Sequence, residues 1–232
     1  TQAEQSIKTM LGFNDLTGKT FLDIGSGSGL FSLAAKNLGA QVHSFDYDKN
    51  SFWCTSYLKE KFYPNDNTWK VEVGSVLDDN YIKSIGKFDV VYSWGVLHHT
   101  GSMYKAMSNA GDCVLKNGTL FIALYNKQQF ASSYWLFIKK LYNKILILRP
   151  FLITVHFLYP TLPSIFLNYI RNKEQARAMN YWHDLLDWLG GYPFEVSSPE
   201  EIFQFYKKRG FQLEKLKTVG GKLGCNEFVF KS

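Results

Sequence analysis

The chain has 232 residues, 46% hydrophobic and 17% aromatic, enough for one generous domain or for a domain with a large insertion. Its three cysteines, Cys54, Cys113 and Cys225, are scattered without a Cys-x-x-Cys pair, which argues against a zinc site or a disulfide framework and suits a reducing, cytoplasmic setting, with no signal peptide expected. The net charge of +6 is unevenly spread: of 26 basic and 20 acidic residues, positions 127–180 hold eight and one, so the rest of the chain is near neutral.

In chain order, Gln2 to Leu11 predict a short helix with Ile7, Met10 and Leu11 on one side, and Asn14 to Lys19 turn into a strand. Phe21, Leu22 and Ile24 read as that strand, buried and parallel. Gly25, Gly27 and Gly29 follow at alternate positions, and Leu30 to Leu38 predict a helix stopped by Gly39. Glycines allow a left-handed backbone and close approach of a ligand, and the first helical N–H groups open beyond the strand's carboxyl end, where open α/β sheets bind ligands. This is a nucleotide-type site. A carboxylate just ahead of the loop, Asp23, would repel a pyrophosphate and attract an ammonium. The next strand, Gln41 to Phe45, ends at Asp46, where an acidic residue binds ribose hydroxyls. A ribose and an amino group without a phosphate describe S-adenosylmethionine. With Asp23-x-Gly25-x-Gly27-x-Gly29 set in strand–loop–helix–strand, the sequence resembles the class I S-adenosylmethionine-dependent methyltransferases.

The resemblance implies a Rossmann-like α/β fold whose seven-stranded sheet ends in a β-hairpin, with S-adenosylmethionine as cofactor and S-adenosylhomocysteine as product. In that family the leading helix often covers the cofactor; plain packing is the alternative. Ser51 to Phe62 predict a helix, and Trp69 to Val73 alternate as the third strand. Gly74 to Asp78 match the family's adenine loop, commonly with Asp where Ser75 stands; contact through the Ser75 hydroxyl or the Val76 backbone is expected, an ordinary turn being the alternative. Phe88 to Tyr92 read as a buried fourth strand running into Ser93-Trp94-Gly95-Val96-Leu97-His98-His99-Thr100, which resembles the ubiquinone-biosynthesis-type methyltransferases. Asn-Pro-Pro-Tyr, Asp-Pro-Pro-Tyr and Pro-Cys are absent here, which counts against the commonest nucleic-acid acceptors. The expected cofactor-binding set is Asp23, Gly25, Gly27, Gly29, Asp46, Tyr47, Ser75, Val76 and Trp94. His98 is the first candidate base, since a neutral imidazole at the sheet's carboxyl edge can take a hydroxyl proton; capping of the helix predicted over Met103 to Val114 is the alternative for one of the two histidines.

Asn117-Gly118 predicts a turn and Thr119 to Leu124 the fifth strand. The helix expected next waits until Ser198-Pro199-Glu200-Glu201, a capping box with proline at the first helical position, and ends at Gly210. Phe211 to Val219 and Glu227 to Lys231 predict the terminal hairpin. The chain therefore divides into a cofactor domain, 1–125 and 197–232, and an insertion, 126–196. Within the insertion, Ser133 to Leu148 carry apolar residues at near-helical spacing with Lys139, Lys140 and Lys144 interleaved. Pro150 to Ile170 are uncharged and apolar, but Pro160 and Pro163 interrupt them, against a transmembrane span. Three roles are open for the insertion: a cap over an apolar substrate, a homodimer surface, or peripheral membrane contact through 133–170. His183 and Asp187, at i and i+4 on a predicted helix, form a second candidate base and its orienting carboxylate, with a surface ion pair as the alternative; no third ligand points to a metal. The expectation is methyl transfer to a small, apolar or aromatic acceptor, oxygen ahead of nitrogen or carbon. An RNA acceptor and a non-catalytic, membrane-associated cofactor-binding subunit are the rivals.

Overall fold

The computed structural model describes residues 1–158 and 181–232. They divide into two compact units, one of residues 1–127 with 196–232 and the other of residues 128–195.

The first unit is built on a seven-stranded sheet of order β3-β2-β1-β4-β5-β7-β6. Its strands are β1 (Thr20–Ile24), β2 (Gln41–Asp46), β3 (Trp69–Val73), β4 (Phe88–Trp94), β5 (Val114–Tyr125), β6 (Gln212–Lys217) and β7 (Cys225–Lys231). Strands β1 to β5 pair in parallel, while β7 runs antiparallel to both β5 and β6. This is a Rossmann-like α/β sheet with the terminal hairpin that the resemblance implies. Alternate residues of each strand feed two separate cores. Phe21, Val42, Val90 and Tyr92 face helices α1 (Gln2–Leu11) and α2 (Leu30–Asn37), while Leu22, Ile24, Val91 and Leu120 face α5 (Met103–Asp112) and the helix of residues 199–208. In α1, Ile7, Met10 and Leu11 are buried on the sheet, so this helix packs as its spacing predicts.

Several boundaries move for local reasons. Helix α3 (Lys49–Phe62) begins two residues earlier than predicted because Asp48 caps it, accepting from Ser51 N. Asp78 likewise caps α4 (Asp79–Ile85), a helix the sequence reading did not include. Strand β5 starts at Val114, before the predicted turn. Pairing with β4 jumps from Phe88↔Val114 to Val90↔Thr119, and Asn117 takes a left-handed φ of 61° inside this irregularity, where it bonds Ser232 O. The capping box at Ser198 and Glu201 forms as its spacing predicts. At the carboxyl end of β5, Asn126 bridges Ser197 in parallel and Asn226 Nδ2 donates to Asn126 Oδ1. The two ends of the insertion are thereby stitched together, and the sheet closes without it.

The second unit holds α6 (Gln129–Lys144), a 3₁₀ turn at Leu146–Leu148, α7 (Arg149–His156) and α8 (Tyr181–Gly190); helix α9 (Pro199–Lys208) returns to the first unit. Ile138, Leu152, Leu185 and Leu189 form its core. Lys139 is fully buried there, its ammonium over the Trp188 and Phe194 rings and donating to Trp188 O, while Asn143 Nδ2 donates to Leu189 O. A cation and an amide from α6 thus satisfy the last carbonyls of α8, the favoured partners at a helix C-terminus. The apolar run that begins at Pro150 is described to residue 158; the remainder, with both interrupting prolines, lies outside the described residues. Among the described residues no helix is long and apolar enough to cross a membrane.

Candidate functional site

The strand order reverses between β1 and β4, so the crevice of this sheet opens at their carboxyl ends. There the two loops touch: a Cβ on Gly25 would lie 2.5 Å from both Val96 methyl carbons, so a side chain at Gly25 would force Val96 in the loop after β4 to shift. Gly29 is equally constrained, at φ 78° with Thr55 backbone 2.8 Å from a Cβ. Gly27 differs. Its φ is 55° and nothing lies within 4 Å of a Cβ, which leaves the middle of the loop open. Gly27 N donates to Asp46 Oδ2 at 2.9 Å, and Asp46 Oδ1 accepts from Asp48 N, which fixes the carboxylate at the end of β2 beside the open cradle. Tyr47 follows, 81% exposed.

Asp23, expected in the cofactor-binding set, lies in β1 against the first turn of α2. It is buried, accepts Ser32 Oγ at 2.5 Å and the Ser32 backbone N–H, and so caps the first turn of α2 from the neighbouring strand. Ser44 Oγ donates to Ser32 Oγ, and Trp69 Nε1 donates to Ser44 Oγ, extending the chain of bonds across β2 and β3. Burial pushes the Asp23 carboxyl up to about 7, against the Ser32 bond that lowers it. The helix bearing the loop has no side-chain cap of its own, which is why a strand carboxylate is drawn in.

In the adenine-type loop, Ser75 Oγ turns back to accept Leu77 N, and the buried Val76 has its carbonyl bonded by Asn109 Nδ2 at 2.8 Å. Trp94 ends β4 partly exposed, its indole N–H 3.4 Å from Glu227 Oε1. Register explains the pair: Trp94 and Glu227 both flank Ala123 on one face of the sheet. Sequence reasoning gave Glu227 no role, because a residue of an antiparallel strand reaches this edge only through pairing. Tyr92, on the same face, is fully buried, and its hydroxyl has no hydrogen-bond partner among the described residues.

His98 is fully buried in a turn after β4. Its Nδ1 accepts from Tyr125 N, and its ring lies 3.9 Å from the Tyr125 ring, centroid to centroid. An accepting Nδ1 puts the proton of the neutral ring on Nε2, the wrong tautomer for a base acting through Nε2. His99 is partly exposed and meets Tyr125 edge-on at 5.3 Å. Tyr125 escaped the sequence reading because it is simply the last residue of β5. In the second unit, His183 and Asp187 share α8 as predicted and both are exposed; among the described residues no ion pair or hydrogen bond joins them. At the surface such a pair gains too little to hold two side chains in one geometry.

The open cradle at Gly27, the two-oxygen carboxylate of Asp46 and the exposed ring of Tyr47 fit an adenosyl cofactor with no phosphate. The comparisons agree on the fold. The sequence profile of the family described as "Methyltransferase domain" matches residues 2–216. A ubiquinone biosynthesis O-methyltransferase of Glaesserella parasuis is 29% identical over 125 residues, which cover 54% of this chain and 52% of the relative. A tRNA U34 carboxymethyltransferase of Pseudomonas savastanoi is 33% identical over 108 residues, covering 46% and 32%. The chain thus spans about half or less of the curated relatives it matches. Magnesium protoporphyrin IX methyltransferase from Synechocystis, solved with S-adenosylhomocysteine, superposes with a TM-score of 0.60 at 13% identity, covering 99% of this chain and 81% of that one. The cyclase SpnF superposes at 0.62 and 9% identity, covering 99% and 79%. One fold therefore carries more than one chemistry, and the acceptor must be argued from the site.

Proposed function

Since the chain belongs to the methyltransferase domain family, we propose that it transfers a methyl group from S-adenosylmethionine to a small apolar or aromatic acceptor, with oxygen favoured over nitrogen or carbon. The cofactor supplies an electrophilic methyl group on a good leaving group. The protein's task is then chiefly to hold the acceptor in line and to take up its proton. Asp46 and Tyr47 would hold the ribose and adenine, and the Gly25–Gly29 backbone would admit the methionine portion. The observation that carries the acceptor class is the aromatic edge formed by Trp94, His98, His99 and Tyr125 at the carboxyl ends of β4 and β5. In it the partly exposed Tyr125 ring lies edge-on beside the partly exposed His99 imidazole. His99 is the better placed of the two histidines to receive a hydroxyl proton, being partly exposed, while the buried His98 orients Tyr125. Similarity to a ubiquinone biosynthesis O-methyltransferase supports the same reading.

The tRNA-modifying relatives and the basic balance of residues 127–180 favour a second reading, an RNA acceptor. Transfer of labelled methyl from S-adenosylmethionine into a fractionated extract separates them. Label in the organic-soluble or small-molecule fraction is expected. Label in RNA would overturn the small-molecule reading, and no label with intact cofactor binding would overturn both.

A further inference from the structure

The second unit carries an exposed apolar tip that neither reading uses. Between α6 and α7 the chain reads Lys144-Ile-Leu-Ile-Leu-Arg-Pro-Phe151, and Leu146, Ile147 and Phe151 are 65%, 85% and 64% exposed. Single exposed apolar side chains are ordinary; a contiguous cluster at the end of a helical hairpin is not. The exposed stripe of α6 leads to the same tip, through Phe130, Phe137, Lys140 and Lys144 at i, i+7, i+10 and i+14. Residues 128–158 contain four Lys/Arg and no Asp or Glu. One of the four, Lys139, is buried and serves the α8 carbonyls. Lys140 and Lys144 are exposed, and Arg149 is tied beside the tip by its Nε bond to Tyr142 O and its position over the Tyr142 ring.

We infer that this tip docks on an anionic lipid bilayer, with Ile145, Leu146, Ile147 and Phe151 entering the headgroup–acyl boundary and Lys140, Lys144 and Arg149 meeting lipid phosphates. Charge decides the occupant. A second copy docked tip to tip would bring like cations together with no acid on these elements to answer them, whereas an anionic interface complements the apolar tip and its cationic rim at once. A short aliphatic tip also matches the shallow depth to which such elements enter a membrane.

The test is co-sedimentation of the full chain with extruded vesicles of phosphatidylcholine alone or with about a third phosphatidylglycerol, at low and raised salt. Binding to the anionic vesicles is expected, weakening at least about tenfold on pure phosphatidylcholine and falling with salt. Ile147→Asp should abolish it, and Lys140→Gln with Lys144→Gln should weaken it about fivefold per charge. Circular dichroism and S-adenosylhomocysteine binding should stay unchanged in each variant. Absence of vesicle binding, equal binding to both lipids, or binding indifferent to Ile147→Asp would overturn the inference. A concentration-dependent dimer abolished by Ile147→Asp, without vesicle binding, would give the tip to a second copy instead.

Discussion

Replacing Gly27 and Gly29 separately by alanine sets the fold against the cofactor. Both glycines hold a left-handed φ, 55° and 78°, so each substitution costs about 1–2 kcal/mol of backbone strain, offset by about 0.4–1 kcal/mol from a stiffer unfolded chain. They differ in what the new methyl meets. At Gly29 it lies 2.8 Å from the Thr55 Cα and 2.9 Å from its Oγ1, so α2 or α3 must shift, adding about 1–3 kcal/mol of overpacking. At Gly27 it meets nothing, and the Gly27 N–H bond to Asp46 survives. Gly27→Ala should therefore lower unfolding free energy by about 1 kcal/mol, and Gly29→Ala by about 2–4 kcal/mol. In calorimetric titration, however, Gly27→Ala should bind S-adenosylhomocysteine at least about tenfold more weakly, because its methyl fills the cradle. Near-normal affinity in Gly27→Ala, or equal destabilisation by the two substitutions in urea, would refute the assignment of the cradle.

Asp23 sets a pH dependence of stability. Its carboxyl is raised from an ordinary 3.8 to about 7, so its favourable contribution is full below 3.8 and lost as pH rises through 7, a change of about 4 kcal/mol. Asp23→Asn should remove that slope, and urea melts of both proteins from pH 4 to 8 that stay parallel would contradict it. Glu201 behaves oppositely: the Lys127 bond first, then the Ser198 N–H, hold it near 2, so its contribution is present above 4.5 and lost as pH falls through 2. Glu201→Gln should flatten acid unfolding in that interval, and Ser198→Ala, which removes the other half of the capping box, should cost about 1 kcal/mol at neutral pH. Burial lowers Lys139 from 10.5 to about 8; its contribution is present above 10.5 and lost as pH falls through 8. Lys139→Met should abolish the pH dependence between those values, followed by fluorescence of Trp135 and Trp188. His98→Ala should cost about 2–3 kcal/mol through loss of a buried ring and its bond to Tyr125 N, while His99→Gln leaves stability alone and slows turnover; the reverse pattern would return the base to His98.

Local pattern determined much of this protein. Apolar runs and alternation place β1 to β4, the alternating glycines place the turn into α2, and the Ser198–Glu201 box places α9, because each depends on residues within a few positions of one another. A basic aromatic stretch standing where a helix is due marks the insertion in the sequence. Pairing between distant segments decided the rest. Asp23 is an acid ahead of a glycine loop in the sequence; only the packing of α2 on β1, bringing Ser32 over it, makes it a buried cap. His98 and His99 are chemically equal neighbours until β5 lays Tyr125 N against one ring. Glu227 reaches Trp94 because an antiparallel strand lies two positions across the sheet, and His183 and Asp187 share a helix yet do not pair because water screens them both. Spacing specifies which groups can share an element; burial and register, which the sequence does not carry locally, decide what each group's charge and proton do there.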